Sequence, residues 1–422
     1  MTQLAINGGT RTVPEGTIKP WPPIDDTDRQ AVCASLAGTN HAFGPNCVAL
    51  QQEFAAWNGN RFAVATNSGT AALHMCLAAV GCGCADEVIV PAYSWSSSAT
   101  CVLHHNAIPV FVDIDFDTMN IDPAKIEQAI SERTKALIVV HLHGLPAEMD
   151  KILHIARRHN LAVIEDACQA HGAVYRGRKV GTIGDCAAFS FNQNKCLCAG
   201  EGGMFVTDSE ELFQKAKMLW SFGETRTPVE SRDYHAYALG WMYRMSDLVA
   251  AFARAQLRKL DRYLAVISDN AHAFLDEIQG TSGLILPTVP DGSTTNWYNL
   301  MVRIDPDALG WKGPAVQLRN AFLKALLAEG ADVGCYQRFI LPAMTVFQAQ
   351  NAYGAGCPWK CGRKVSYDPR AFPEAQRHTD THIGMTTPLR PPNTPETARL
   401  VARAFRKVVE HRDELFSLAA QC

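Results

Sequence analysis

Absences narrow this 422-residue sequence first. No run of ~18 consecutive apolar residues occurs, so no helix is expected to cross a membrane. The opening MTQLAINGGTRTVPEG has neither the charged start nor the unbroken apolar core of a secretory signal, which predicts a soluble, cytoplasmic protein. A basic excess is missing too. The 39 Lys and Arg stand against 42 Asp and Glu, a net charge of -3, so nucleic acid is not an expected partner. Fourteen cysteines are spread along the chain, but the two-residue gap of zinc knuckles is not among their spacings. Cys82/Cys84, Cys196/Cys198 and Cys357/Cys361 pair up locally without a matching second half, and we read them as reduced thiols rather than metal ligands. Repeats and low-complexity tracts are also absent.

What is present is an ordinary globular balance, 47% hydrophobic and 19% charged, over a length that suits one large and one smaller domain. From residue 60 to 210, RFAVAT, DEVIVP, IPVFVDI, KALIVVHL, LAVIEDA and CAAFSF read as strands that are apolar on both faces. Helical stretches such as GTAALHMCLAAV, DPAKIEQAIS and DKILHIARRH separate them. That alternation predicts an α/β domain with a largely parallel sheet covered on both sides. We place the large domain, with the N-terminal segment, at residues 1–261 and a smaller C-terminal domain at 262–422. Within the latter, residues 342–375 are rich in Pro, Gly and aromatics and read as an ordered or lid-like loop.

Polar residues cluster where these strands end, the edge at which such sheets bind ligands. In ATNSGTAALHM a strand passes through Ser68, Gly69 and Thr70 into a helix, and the free N–H groups there suit a phosphate. Ser68 is equally a plain helix cap. Asp166 ends LAVIEDA, Trp95 lies past DEVIVP, and Ser190 closes CAAFSF. The stretch FSFNQNKCLCAGEGG then sets Lys195 among Phe189, Phe191, Cys196, Leu197 and Cys198, so burial is expected to lower its pKa and free the amine as nucleophile and base. A phosphate cradle, a lysine, a carboxylate and a flat aromatic together match the needs of pyridoxal 5′-phosphate: Schiff-base formation and a protonated pyridine nitrogen.

The stretches LAINGG, SGTAALHMCLAAVG, DEVIVPAYSW, PVFVDID, VIEDACQAHGA, FSFNQNK with GEGG, and YRMSDLVAAFARAQL resemble the DegT/DnrJ/StrS family of pyridoxal phosphate-dependent sugar and cyclitol aminotransferases. The resemblance implies a fold type I enzyme: a mainly parallel sheet with helices and a smaller α+β C-terminal domain. It implies that Lys195 and Asp166 are catalytic, the first through the Schiff base and the second on the pyridine nitrogen. It also implies that Gln169 approaches the cofactor's phenolic oxygen, that Trp95 stacks on its ring, and that Ser68, Gly69, Thr70 and Ser190 hold its phosphate. A homodimer is implied, with Arg244 reaching the neighbouring site; Met242 stands where relatives carry a cross-subunit asparagine.

The expected function is amino transfer from glutamate or glutamine to a keto group of a sugar, cyclitol or related biosynthetic intermediate. A dehydratase of the same family is the alternative lyase reading, but those relatives replace the lysine that this chain keeps at 195. Two further readings are a noncatalytic cofactor-binding regulator and a cysteine desulfurase using Cys357 or Cys361, and testing alanine or cysteine as donor separates these readings.

Overall fold

The computed structural model describes residues 3–225 and 234–421. Seven strands form the main sheet: β1 (Phe62–Thr66), β2 (Glu87–Pro91), β3 (Ile108–Val112), β4 (Thr134–Val140), β5 (Ala162–Asp166), β6 (Cys186–Ser190) and β7 (Gly203–Thr207). Their order is β1-β7-β6-β5-β4-β2-β3. Neighbours from β3 through β6 are parallel, and β7 runs antiparallel to both β6 and β1. All strands except β7 therefore end on one edge.

The six strands expected from sequence are present. The seventh, β7, was not expected: its GMFVT begins on the last glycine of GEGG and looks like the end of a loop.

Alternation of β-branched and aliphatic residues sends side chains to both faces. Ile89, Leu137, Val139 and Val163 pack with Met149, Ile152 and Ile155 of the helix Met149–Arg158. Val88, Val90, Ile138, Val140 and Ile164 face the helices Gly69–Ala79 and Ser97–His104 through Leu73, Met75, Cys76 and Val102. No strand of this half faces water, which is why its sequence shows unbroken apolar runs.

Farther along, an antiparallel sheet of Leu284–Ile285, Leu300–Ile304 and His382–Met385 packs with the helices Leu260–Ile278, Ala315–Ala328 and Pro395–Glu410. The Phe274 and Phe405 rings meet edge to face at 5.5 Å. The N-terminal segment joins this region: Glu329 accepts from the Ala5 and Thr12 backbone N–H groups at 2.8 and 3.0 Å and pairs with Lys407.

Residues 342–375 are ordered by aromatic anchors. Buried Tyr367 donates to the Pro109 carbonyl at 2.7 Å and accepts from the Trp359 indole at 2.7 Å, so the segment lies on the β2–β3 edge of the sheet. Among the described residues no helix is long and apolar enough to cross a membrane.

Candidate active site

At the C-terminal edge of the sheet lies a cavity of about 620 Å³. Its walls include Ser68, Gly69, Thr70, Trp95, Asp166 and Gln169, and also Ser190 and Lys195. The fold thus brings together eight of the nine residues singled out from sequence, drawn from the ends of β1, β2, β5 and β6 and from the β6–β7 connection. The ninth, Arg244, is not on this wall.

Ser68 caps the helix Gly69–Ala79, its hydroxyl oxygen accepting from the Ala71 N–H at 3.1 Å. That role uses its acceptor and leaves its proton to donate. The N–H groups of Gly69 and Thr70 belong to the first turn, where no intrahelical acceptor exists. The structure shows the cap, and the same serine lines the cavity. Gly69 is needed for close packing, since a Cβ there would lie 2.7 Å from Ser190 Cβ and 2.9 Å from Cys168 Sγ.

Asp166, only 4% exposed, is held on both oxygens. Its Oδ2 accepts from Ser98 Oγ at 2.7 Å and its Oδ1 from the Cys168 N–H at 3.2 Å. The bond to Cys168 closes the turn after β5 as a cap would. Gln169 is oriented unambiguously, because its Oε1 meets the His143 N–H at 2.8 Å and only a carbonyl can accept there. Its Nε2 donates to Tyr336 Oη at 2.7 Å and keeps a second hydrogen. Trp95 remains 54% exposed beside Tyr336, with ring centroids 6.3 Å apart.

Lys195 corrects one expectation. Its sequence neighbours Phe189, Phe191, Cys196, Leu197 and Cys198 are buried, as their composition suggests. The amine, however, points to other company: Nζ lies 3.3 Å from Tyr298 Oη and 4.5 Å from the centre of that ring. Burial lowers its pKa, but Tyr298, Cys168 and Asp166 outweigh burial and hold Lys195 above the ordinary lysine value. The chain's own groups therefore favour the ammonium form. His171 behind β6 stays neutral, lowered to about 3 by burial and then by the Lys195 charge.

Three residues here were missed from sequence, Tyr298, Tyr336 and Arg390. The first two line the cavity. Arg390 is 3% exposed and lines an adjoining cleft that shares Asn194 and Thr386 with the main cavity. Its Nη2 donates to the Asn194 carbonyl at 2.6 Å, and among the described residues no carboxylate pairs with it. A guanidinium in the apolar, proline-rich PLRPPN was the available signal.

Arg244 forms an isolated bridge with Thr66, and the next-door Tyr243 carbonyl accepts from the Asn67 N–H at 2.9 Å. This strip thus runs directly beside the turn that leads into Ser68. Within it Leu239, Trp241 and Met242 are exposed.

The sequence model of the DegT/DnrJ/EryC1/StrS aminotransferase family matches residues 22–358. The chain is 36% identical to L-glutamine:2-deoxy-scyllo-inosose aminotransferase of Streptomyces lividus over 440 aligned positions, covering 98% of this chain and 99% of that one. It is 44% identical to GDP-perosamine synthase of Caulobacter vibrioides over 245 positions, covering 58% and 65%. The crystal structure of 3-amino-5-hydroxybenzoic acid synthase superposes with a TM-score of 0.84 at 28% identity, covering 94% of this chain and 99% of that one. With fold, cavity and family signature in agreement, the chain belongs to the DegT/DnrJ/EryC1/StrS aminotransferases and is a transaminase of fold type I.

Proposed function

We propose that the chain binds pyridoxal 5′-phosphate in this cavity and moves an amino group from glutamate or glutamine to a keto group of a sugar, cyclitol or related biosynthetic intermediate. The observation that carries this reading is the convergence of one lysine amine, one buried carboxylate and a free helix start on a single cavity. The N–H groups of Gly69 and Thr70, in the first turn of the helix and without intrahelical acceptors, suit a phosphate there. When bound, the cofactor supplies an aldehyde for the amine and a ring that takes up electron density.

The chain's residues then divide the work. Ser68, Gly69, Thr70 and Ser190 bind the phosphate, and Asp166, anchored by Ser98, presents a fixed carboxylate to a ring nitrogen. Trp95 covers a ring face, while Gln169 offers its second amide hydrogen to a ring oxygen. Lys195 releases and takes back a proton at Nζ, with Tyr298 fixing where that atom sits. Arg390 supplies a cation for a donor carboxylate, because a buried unpaired guanidinium is costly unless a ligand completes it. The division of the chain near residue 261 is part of this reading, with the second unit contributing Tyr298, Tyr336 and Arg390.

The active unit is a homodimer in this proposal. Leu239 at 80% exposure and the neighbouring Trp241 and Met242 form an apolar strip beside the Ser68 turn, where Arg244 would serve the partner's site. Mixing Lys195→Ala with Arg244→Ala chains checks it: hybrids recover part of the activity if sites are shared, and hybrids that form but stay inactive contradict it.

The overall function is tested by half-reactions. Glutamate or glutamine should convert the yellow chromophore, and a keto sugar or cyclitol should restore it. Conversion by alanine or cysteine alone would contradict the reading.

A further inference from the structure

Three of the cysteines left unexplained by amino transfer meet on the surface. Cys84 and Cys361 are exposed and Cys357 is half-buried; all three are free thiols. In sequence they belong to CGC at 82–84 and CPWKC at 357–361, two pairs without an apparent complement. The fold sets those pairs against each other. Gly362 packs between β3 and the segment after Cys84: a Cβ there would lie 2.2 Å from Ile108 Cδ1 and in ordinary contact, 3.6 Å, with Ala85 Cβ. One residue on, Arg363 grips buried Glu87 with two bonds, at 2.5 and 3.1 Å. Residues 361–363 therefore run alongside 84–87, with Cys361 and Cys84 each one residue before the Gly362–Ala85 contact. The Cys361 and Cys357 thiols also add to desolvation in raising the pKa of Cys84, as neighbouring thiols do.

We propose that Cys84 and Cys361 are a thiol–disulfide modification site whose oxidation staples the 342–375 segment to the edge of the sheet. The partner is a low-molecular-weight disulfide such as oxidised glutathione. A thiolate of one cysteine attacks a glutathione sulfur, forming a mixed disulfide and expelling one glutathione thiolate. The second cysteine then attacks the protein sulfur, expelling the other. The two hydrogens lost from the protein end on two glutathione thiols, and the disulfide is reduced as the cysteines are oxidised.

Cys82 takes no part, being buried beneath this surface. A closed metal site is not in competition within the structure, since among the described residues no group of three or more His, Cys, Asp or Glu is arranged to hold an ion. The chemistry is also independent of Lys195.

The test exposes the full-length, cofactor-loaded protein to oxidised glutathione, then alkylates and maps the thiols by mass spectrometry. A crosslinked peptide pair containing Cys84 and Cys361 is expected in wild type and in Cys357→Ser, and is absent from Cys84→Ser and Cys361→Ser. Oxidation should also slow tryptic cleavage after Lys360, Arg363 and Lys364 severalfold, and dithiothreitol should reverse it. A Cys357–Cys361 link, stable single glutathione adducts, or no loss of thiols each overturn the proposal. Zinc alone protecting all three thiols from alkylation, with no crosslink under oxidant, would replace it by a metal site.

Discussion

Replacing Gly69 by alanine tests the phosphate cradle where its geometry is tightest. The added Cβ would stand 2.7 Å from Ser190 Cβ, 2.9 Å from Cys168 Sγ and 3.2 Å from Ser190 Cα. Ordinary carbon contacts lie at about 3.5–4.0 Å, so the neighbours must yield by most of an ångström. Ser190 is pinned in β6 and Cys168 sits on the turn fixed by Asp166, which leaves the Ser68–Thr70 turn as the part that moves. Overpacking of this kind costs about 1–3 kcal/mol, against which alanine regains at most ~1 kcal/mol of helix preference. Because the N–H groups of Gly69 and Thr70 shift with the turn, cofactor affinity should fall about tenfold, equivalent to ~1.4 kcal/mol. The assay is titration of apo-protein with pyridoxal 5′-phosphate, followed by absorbance. Gly83→Ala is the control, its nearest contact being an ordinary 3.6 Å to Asp86 Oδ2. If Gly69→Ala binds cofactor as tightly as Gly83→Ala, the cradle is not where we place it.

Asp166→Asn keeps the shape but removes the charge, so turnover should fall far more than cofactor occupancy; equal losses would mark Asp166 as a structural cap of its turn. Tyr298→Phe takes away a group that holds Lys195 up, so cofactor loading, which needs the free amine, should reach its full rate at lower pH than in wild type; an unshifted profile would show that Tyr298 does not set the amine's ionisation. Glu165 supplies an acid-stability prediction. Burial raises its pKa, but the bond from His141 and those from the Gly184 and Gly181 N–H groups outweigh it, leaving it lowered. A lowered carboxylate stabilises the fold above its unfolded value and loses that contribution as pH falls through the folded one. Thermal melts should therefore show wild type losing its advantage over Glu165→Gln as pH drops below about 4.5, and a constant difference would contradict this.

Much of the large sheet was legible because its strands are buried on both faces, which forces continuous Val, Ile and Ala runs that no exposed segment would carry. β7 was hidden by the glycines at its start, since Gly202 and Gly203 serve close packing there: a Cβ on Gly203 would strike the Ser68 backbone at 2.6 Å. The first wall of the site was legible for a similar reason. Polar residues at the ends of apolar strands stand out, and Ser68, Trp95, Asp166 and Ser190 all do. The opposite wall was not. Tyr298 meets Lys195 across 103 positions of sequence, a contact that tertiary folding makes and local pattern does not encode. The wrong sign for Lys195 followed directly, because its near neighbours are apolar while its spatial partners are a phenol, a thiol and a carboxylate.

The central claim is that Lys195 is the amine that carries the cofactor. Reducing the yellow protein with borohydride, digesting it and mapping the pyridoxyl group by mass spectrometry tests that claim most directly. The account predicts the label on the peptide containing Lys195, and colourless, inactive but folded Lys195→Ala protein. Labelling of a different lysine in wild type, or an alanine variant that transaminates at the wild-type rate, would contradict it.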